Sequence, residues 1–588
     1  MIYILINWFY ICVTSYILGS FLTRKFQKLM HYEKLTSVST YIMTGIAVAT
    51  VYAGYFSAFA GVSFAANVIL ILACALILIF DRKVLFQELK RQWGEQNVLW
   101  LVIYALIALV IAYFCAGSNF VYDSGLYHAQ SIRMVEDYGV IKGIANVHER
   151  FGYNSSYFCL AALYSMKDIF GQSMHAVHGL IATVLCCASV SGIVRRRGWQ
   201  TVTSRVCRLA PILYTIIIAT EIVSPATDYI TVYFVMWIVI SWADLMEDGE
   251  KKIAPYAFLC IMAAFLVSLK LTAACMALLV LYPAYHLIKE KKWKEIGICL
   301  GLGILVAAPY FVRNFFISGW LIYPFEAIDL FHVDWKLPVE TVIGDAMDVK
   351  VYARYLYDRA AIDQTIFEWF PTWWNGQKSV ERWFSLAAFA AIFAEVLNCV
   401  VRSIMMIRKT KNNPSTLTNE GTENKTLTVV RYGAFMFLKV VVLISFLSWL
   451  FTSPLHRYGY AFVLTLPLLL IGNWLDLFQE QKVWLRVLSV LCVGAACIIL
   501  WIPSYRMMKD DILYLWNQKS DTSHLVKQKD YPNPSMLSED LNGITIYYPE
   551  EAGGQSWYYA FPATNFGENI QYWENRGDSV EDGFRHVN

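Results

Sequence analysis

Long apolar runs separated by short polar stretches rich in Lys and Arg dominate the hydrophobic pattern of this chain. Runs of roughly 17 to 22 residues have the length needed to cross a ~30 Å hydrocarbon core as helix. They begin near residues 2, 38, 64, 97, 177, 207, 228, 254, 274, 296, 384, 433, 457 and 485, which predicts about fourteen membrane spans. Residues 157–170 are apolar but too short to cross, and are expected to dip into the outer leaflet or lie on it. Between two spans lies a polar stretch, residues 117–156. Within it Leu126, Ala129, Ile132, Val135 and Tyr138 recur at helical spacing, with Ser124 near the start and Gly139 just past the end. That pattern predicts an amphipathic helix lying on the membrane, with Asp123 at its N-terminus.

The composition agrees, because 57% of residues are hydrophobic and only 16% charged, a balance suited to a bilayer and not to a soluble protein. Orientation follows from the basic short loops. Arg24, Lys25, Lys28 and Lys34, then Arg82, Lys83, Lys90 and Arg91, then Arg195, Arg196 and Arg197 follow alternate spans. Lys251 and Lys252, Lys289 to Lys294, and Arg408 to Lys411 continue the series, whereas the short loops at Gly61 and Ser224 carry no Lys or Arg. The basic loops are therefore expected to be cytoplasmic, with residues 117–156, 313–383 and the C-terminal tail outside. The first run has neither a preceding basic residue nor a small-residue cleavage site, and is expected to remain as an anchor. The thirteen cysteines show no metal-ligand spacing and read as buried free thiols.

The expected fold is an all-α polytopic membrane protein with amphipathic outer-face helices and a small extracytoplasmic α/β cap. Its parts are four N-terminal spans (1–116), a first outer loop with interfacial helices (117–176) and a membrane core (177–312). A second, aromatic-rich outer loop (313–383), C-terminal spans (384–503) with a flexible polar linker (409–428), and a tail (504–588) holding GITIYYP and SWYYAFP complete it.

Two constellations carry candidate chemistry. In the first outer loop Asp123 stands with Tyr122, His128, Arg133, Glu136, His148, Glu149 and Arg150, a density of titratable groups that a connector does not require. Asp123 by position could equally cap the helix, and Glu136, Asp137 and Glu149 taken singly read as a solvated face. The second constellation is basic: Lys270 in LVSLKLTA, Arg313 in PYFVRNFFISGW and Arg457 in TSPLHRYGYAF sit at outer ends of spans. One such residue can snorkel. Three with an outer carboxylate point to an anionic lipid head group, whose phosphate Arg can hold bidentately. Asp228 is placed to orient one of them or to cap a helix. Asp123, His128 and His148 leave a divalent metal open, but no tight spacing such as HExxH is present, so no metal or other cofactor is assigned.

These stretches resemble the GT-C class of polytopic glycosyltransferases, which take sugar from a polyprenyl-phosphate carrier on the outer face of the membrane. Asp123 in YDSGLYHAQSIR is similar to the catalytic base of that class. SLKLTA, PYFVRNFFISGWLIYPF and SPLHRYGY follow in the order in which those enzymes keep lipid-phosphate ligands. The most specific pattern is RN-x(4)-G-x(3)-YP, with Arg313, Asn314, Gly319, Tyr323 and Pro324. The chain also resembles a group of bacterial membrane proteins bearing YD-x-GLYHAQ and G-x-NSS, which brings no chemistry with it. One departure from the GT-C layout is that the first outer loop follows the fourth span, not the first, which implies three extra N-terminal spans.

The resemblance implies an inverting transfer of sugar to an acceptor hydroxyl in cell-envelope glycan or glycolipid synthesis. Asp123 would act as base; Tyr122, His128, Arg133, His148 and Arg150 would contact the sugars; Lys270, Arg313, Asn314 and Arg457 would hold the lipid phosphate, with Asp228 and Tyr323 in support. The implied partners are a polyprenyl-phosphate-linked sugar, a glycan, lipid or protein acceptor, and membrane lipids, with no nucleic acid. No glycine-rich nucleotide loop is visible, which suits a lipid-carried donor. Two other classes fit the layout: an O-antigen type polymerase or ligase, and a lipid-linked glycan transporter or flippase. A transporter is expected to carry charges near the bilayer midplane, and the charges noted above sit at the ends of spans.

Overall fold

The computed structural model describes residues 1–33, 36–94, 97–196, 201–412, 422–476, 505, 509–510, 512–514, 516–517 and 522–587. Nineteen α-helices follow in chain order: α1 (Ile2–Leu29), α2 (Val38–Phe56), α3 (Phe64–Gly94), α4 (Val98–Cys115), α5 (Ala129–Asp137), α6 (Ser156–Leu163), α7 (Lys167–Phe170), α8 (Val177–Arg195), α9 (Val202–Cys207) and α10 (Leu209–Ile217). Then come α11 (Thr227–Glu247), α12 (Ala254–Leu269), α13 (Leu281–Lys289), α14 (Trp293–Ser318), α15 (Val339–Ala353), α16 (Ile366–Gly376), α17 (Ser379–Asn412), α18 (Thr422–Thr452) and α19 (His456–Asp476).

Among the described residues nine helices are long and apolar enough to cross a membrane: those beginning at Ile2, Phe64, Val98, Val177, Thr227, Leu271, Trp293, Ala434 and His456. They coincide with nine of the fourteen expected spans. The run near 254 forms a helix of only 16 residues, α12. The run near 207 does not form one span: it breaks into α9, α10 and a 3-10 turn at Ala219–Glu221. There Arg208 is buried and bound to Asp244 at 2.6 Å, and Pro211 lacks the amide a continuous helix would use. The run near 384 lies in α17, and α17 and α18 extend into the expected linker from both sides; residues 413–421 and the run near 485 lie outside the described residues.

Helix α2 is drawn into the bundle by backbone contact with α1. A Cβ on Gly19 would lie 1.8 Å from the Tyr41 carbonyl oxygen, and one on Gly45 1.8 Å from that of Ser15. Only small residues permit such an approach.

Polar loops collect at two opposite ends. At one, Arg24 pairs with Asp81 and Glu88 at 2.9 and 3.2 Å, and Arg196 with Asp248 at 2.7 Å. The other gathers the short loops at Gly61 and Ser224 with residues 117–156 and 313–383: the Val62 amide donates to the Val135 carbonyl at 2.8 Å, Val121 N to Ser224 Oγ at 2.8 Å, and Gly143 N to the Phe316 carbonyl at 2.8 Å. The loops grouped by charge in the sequence thus meet in space.

The tail forms two small antiparallel sheets, β1 (Met536–Leu541) with β2 (Ile544–Pro549) and β3 (Trp573–Asn575) with β4 (Phe584–His586). GITIYYP supplies β2. SWYYAFP is irregular and lies over the first outer loop, where Trp557 N donates to the Gly125 carbonyl at 2.9 Å and Gln130 Nε2 to the Trp557 carbonyl at 3.0 Å. Helix α5 is therefore covered by the tail on one side and packed on α6 on another, and is not an interfacial helix open to lipid. Every residue of α6 is buried within the protein, so the first half of residues 157–170 does not face lipid, whereas α7 in the second half has no buried residue.

Candidate functional site

The expected helix of the first outer loop is present but starts unusually. Ser124–His128 form one π-helical turn that runs directly into α5, a geometry that recurs at functional sites. Gly139 ends the helix with φ +81°, and its amide reaches the Met134 carbonyl at 3.0 Å, the C-terminal cap that only a left-handed residue supplies easily.

Asp123 precedes this turn without capping it, since its side chain makes no capping hydrogen bond. Its Oδ2 instead accepts from Arg457 Nη2 at 2.6 Å. Arg457 stands in the first turn of α19, where the helix dipole disfavours a cation, so the Asp123 carboxylate offsets an otherwise exposed electrostatic conflict. Burial pushes the Asp123 carboxyl up, but Arg457, with His128, Lys270 and Arg150, outweighs it and holds the group below the ordinary aspartate value.

Lys270 completes the cluster from a second direction. It caps α12 in extended backbone (φ −162°, ψ 133°), after which the chain turns into a 3-10 helix, Leu271–Val280. Its ammonium pairs with Asp228, in the first turn of α11, and lies 4.1 Å from the centre of the Tyr458 ring. Arg457 Nη2 also donates to Tyr458 Oη at 3.0 Å. Tyr458 thus stands between the two cations. His128 is buried beside Tyr127, with ring centres 4.4 Å apart; burial lowers its imidazole to about 4 against the pull of Asp123 and Asp228, so it is neutral at neutral pH. Its Nδ1 and the Arg457 Nε are buried with no hydrogen-bond partner among the described residues.

Arg150 approaches from the 3-10 turn Glu149–Gly152 and binds Asp345 of α15 at 2.9 Å, while Tyr323 Oη donates to the other Asp345 oxygen at 2.8 Å. Asp345, Tyr458 and Tyr127 were not singled out from the sequence. Asp345 had a signal: it follows Val342 by three residues on the buried face of α15, an acid where the helical pattern calls for an apolar side chain.

Other expected site residues lie elsewhere. Arg313 is buried and donates to Asn154 Oδ1 at 2.9 Å, Ser57 Oγ at 2.6 Å and the Gly139 carbonyl at 3.1 Å. Asn314 accepts from Asn154 at 3.1 Å and donates to the Leu321 carbonyl at 3.0 Å. The polar atoms of both are turned to protein partners, as internal struts. Tyr122, Arg133 and His148 fasten the tail: Tyr122 Oη donates to the Gly553 carbonyl at 3.4 Å, Arg133 Nη1 to that of Tyr558 at 3.1 Å, and His148 Nε2 meets Asn565 Nδ2 at 2.7 Å. Glu136 is no solvated face; it is buried and accepts from Ser173 at 2.5 Å and from Tyr558. No three His, Cys, Asp or Glu side chains converge as metal ligands among the described residues.

The hairpin that turns at Lys270 also lines an apolar cleft of about 650 Å³. Its walls include Ala257 and Ile261 of α12, Ala277 of the 3-10 segment, Leu287 of α13, and Gly303 and Phe311 of α14. The hairpin thus carries Lys270 of the cationic cluster at its turn and one wall of the apolar cleft along its length.

A family model described as a domain of unknown function (DUF8201) matches residues 1–464, and the chain belongs to that family. The match contains Asp123, Asp228, Lys270 and Arg457. No curated protein and no solved structure matches the chain.

Proposed function

We propose that this chain is an integral membrane glycosyltransferase that moves a sugar from a polyprenyl-phosphate carrier to an acceptor hydroxyl on the outer face of the membrane, with inversion. The observation that carries this reading is the contact of Asp123 with Arg457 beside Lys270, at the end of a hairpin that also lines an apolar cleft. A lipid phosphate needs cations at the membrane surface and an apolar slot for its tail; the cluster supplies the cations, and the hairpin that carries Lys270 supplies a wall of such a slot.

The resting ion pair gives the step its order. Phosphate competes with the Asp123 carboxylate for the Arg457 guanidinium. When Arg457 turns to the phosphate, Asp123 loses its nearest counter-charge and becomes a stronger base while donor is bound. The carboxylate then takes the acceptor hydroxyl proton as that oxygen bonds to the anomeric carbon. The bond from that carbon to the phosphate oxygen breaks, and its electron pair leaves on the phosphate, where Arg457 and Lys270 hold the growing charge. One displacement inverts the anomeric centre. Asp228 positions Lys270, and Arg150, fixed by Asp345, adds positive potential beside the carboxylate.

Binding of undecaprenyl phosphate to the purified full-length protein, followed by native mass spectrometry, tests the reading. Wild type is expected to retain the lipid, and Arg457→Ala and Lys270→Ala each to weaken it by at least tenfold. Equal binding by all three proteins would remove the cluster from any role in holding the donor.

A further inference from the structure

A second pocket lies between the first outer loop and the tail and shares no lining residue with the Asp123 cluster. Its volume is about 510 Å³, within the range of roughly 300 to 1,000 Å³ typical of small-molecule sites. Phe120, Tyr531, Tyr558 and Tyr559 line it with aromatic surface, and Gln172, Asp530 and Asn533 line it with amide and carboxylate groups, while the amide of Gln528 is turned inward to the Cys115 carbonyl and the His175 amide.

Its floor is a chain of buried hydrogen bonds. Tyr531 Oη meets His175 Nδ1, His175 Nε2 lies 2.8 Å from Ser173 Oγ, Ser173 donates to Glu136 at 2.5 Å, and Tyr558 donates to the other Glu136 oxygen. The Tyr531 and Tyr558 rings stack, with centres 6.1 Å apart and planes 15° apart. Two aromatic walls are thus fixed in position by polar groups beneath them. Charged groups ring it: Lys167 and Arg133 share Asp137 at 2.7 and 3.4 Å, Lys529 adds a third cation to the lining, and the lining Asp530 pairs with Lys527 at 2.8 Å.

We infer that this pocket is a saccharide-binding site that holds the glycan portion of the acceptor. A pyranose ring presents an apolar face of C–H bonds and a rim of hydroxyls, which need aromatic surface and planar polar groups respectively. This pocket supplies both, held rigid before any ligand arrives. One wall comes from residues 528–533 and 558–560, beyond the matched residues 1–464, so the tail sets which glycan fits. The assignment to the acceptor rests on the transferase reading; binding of saccharide does not.

The test uses the full-length protein in nanodiscs with free neutral trisaccharides of glucose, galactose, N-acetylglucosamine, mannose and rhamnose, and sialyllactose as an acidic counterpart. Binding is read by saturation-transfer difference NMR and calorimetry. At least one of these saccharides is expected to bind, and Gln172→Ala combined with Asn533→Ala to weaken it at least tenfold while leaving undecaprenyl phosphate binding unchanged. Asp123→Asn is expected to bind the saccharide as wild type does. No binding of any of these saccharides, or binding indifferent to the double substitution, overturns the inference. Saccharide binding that survives in a protein shown to transfer no sugar would instead overturn the transferase reading and leave the site standing.

Discussion

Asp123 Oδ2 lies 2.6 Å from Arg457 Nη2, across 334 residues of sequence, and ties the loop after α4 to the start of α19. Breaking a fully buried pair of this kind costs about 3 to 5 kcal/mol. Here the side chains remain 18% and 31% exposed, so solvent screening keeps the loss below that range. Arg457→Gln is therefore expected to lower the melting temperature measurably, and Arg457→Lys to lower it less. Because the folded-state pKa of Asp123 is depressed, the stability it contributes is present above the ordinary aspartate value of about 3.9 and is lost as pH falls through the lower folded value. Melting curves across that acid range should show the loss in wild type and a flatter profile in Arg457→Gln.

Arg313 makes the opposite prediction from Arg457. Arg313→Met strips a buried hydrogen-bond donor from Asn154, Ser57 and the Gly139 carbonyl, at about 1 to 3 kcal/mol for each group left unsatisfied. A marked fall in thermal stability is expected, with undecaprenyl phosphate affinity of the folded fraction unchanged. Lost lipid affinity at unaltered stability would return Arg313 to the donor site.

Glu136 governs how firmly the tail is held. Burial pushes its carboxyl above the ordinary value, against the pull of Ser173, Tyr558 and Lys167. A raised folded-state pKa gives stability that is present at low pH and lost as pH rises through the folded value. Hydrogen exchange in residues 528–533 and 556–560 should accordingly speed up with rising pH beyond the intrinsic rate, and Glu136→Gln should abolish that excess.

The two-ended distribution of loops predicts one compartment for 117–156, 313–383 and the tail. With an impermeant maleimide on intact cells, Asn533→Cys should label above the background of the thirteen native thiols, and Lys28→Cys only after lysis. The reverse pattern would invert the orientation.

Much of this was legible in the sequence because bilayer thickness imposes run length, and a helix needs no distant partner for its backbone bonds. Nine spans, the helix ending at Gly139 and the strand in GITIYYP follow from such local rules. The run near 207 failed because Arg208 and Pro211 act through a tertiary partner and a missing amide, neither of which run length registers. At the site, Asp123, Lys270, Arg457 and Asp228 were visible as charges at the ends of spans. Which of the cations serves as an internal strut and which joins the carboxylate cluster was not, since Arg313 and Arg457 look alike until Asn154, Ser57 and Asp123 are placed in space. The tail's cover over α5 was equally hidden, because it joins Gly125 to Trp557 across more than 400 residues.

The most direct test of the central claim is sugar transfer by purified protein in liposomes with a polyprenyl-phosphate-linked sugar. Asp123→Asn preserves size and removes the base. Turnover is expected to fall by about 10² to 10⁴ in a protein that still folds, with trisaccharide binding retained and undecaprenyl phosphate bound at least as tightly as by wild type, since the carboxylate that competes for Arg457 is gone. Wild-type turnover in Asp123→Asn would contradict the account.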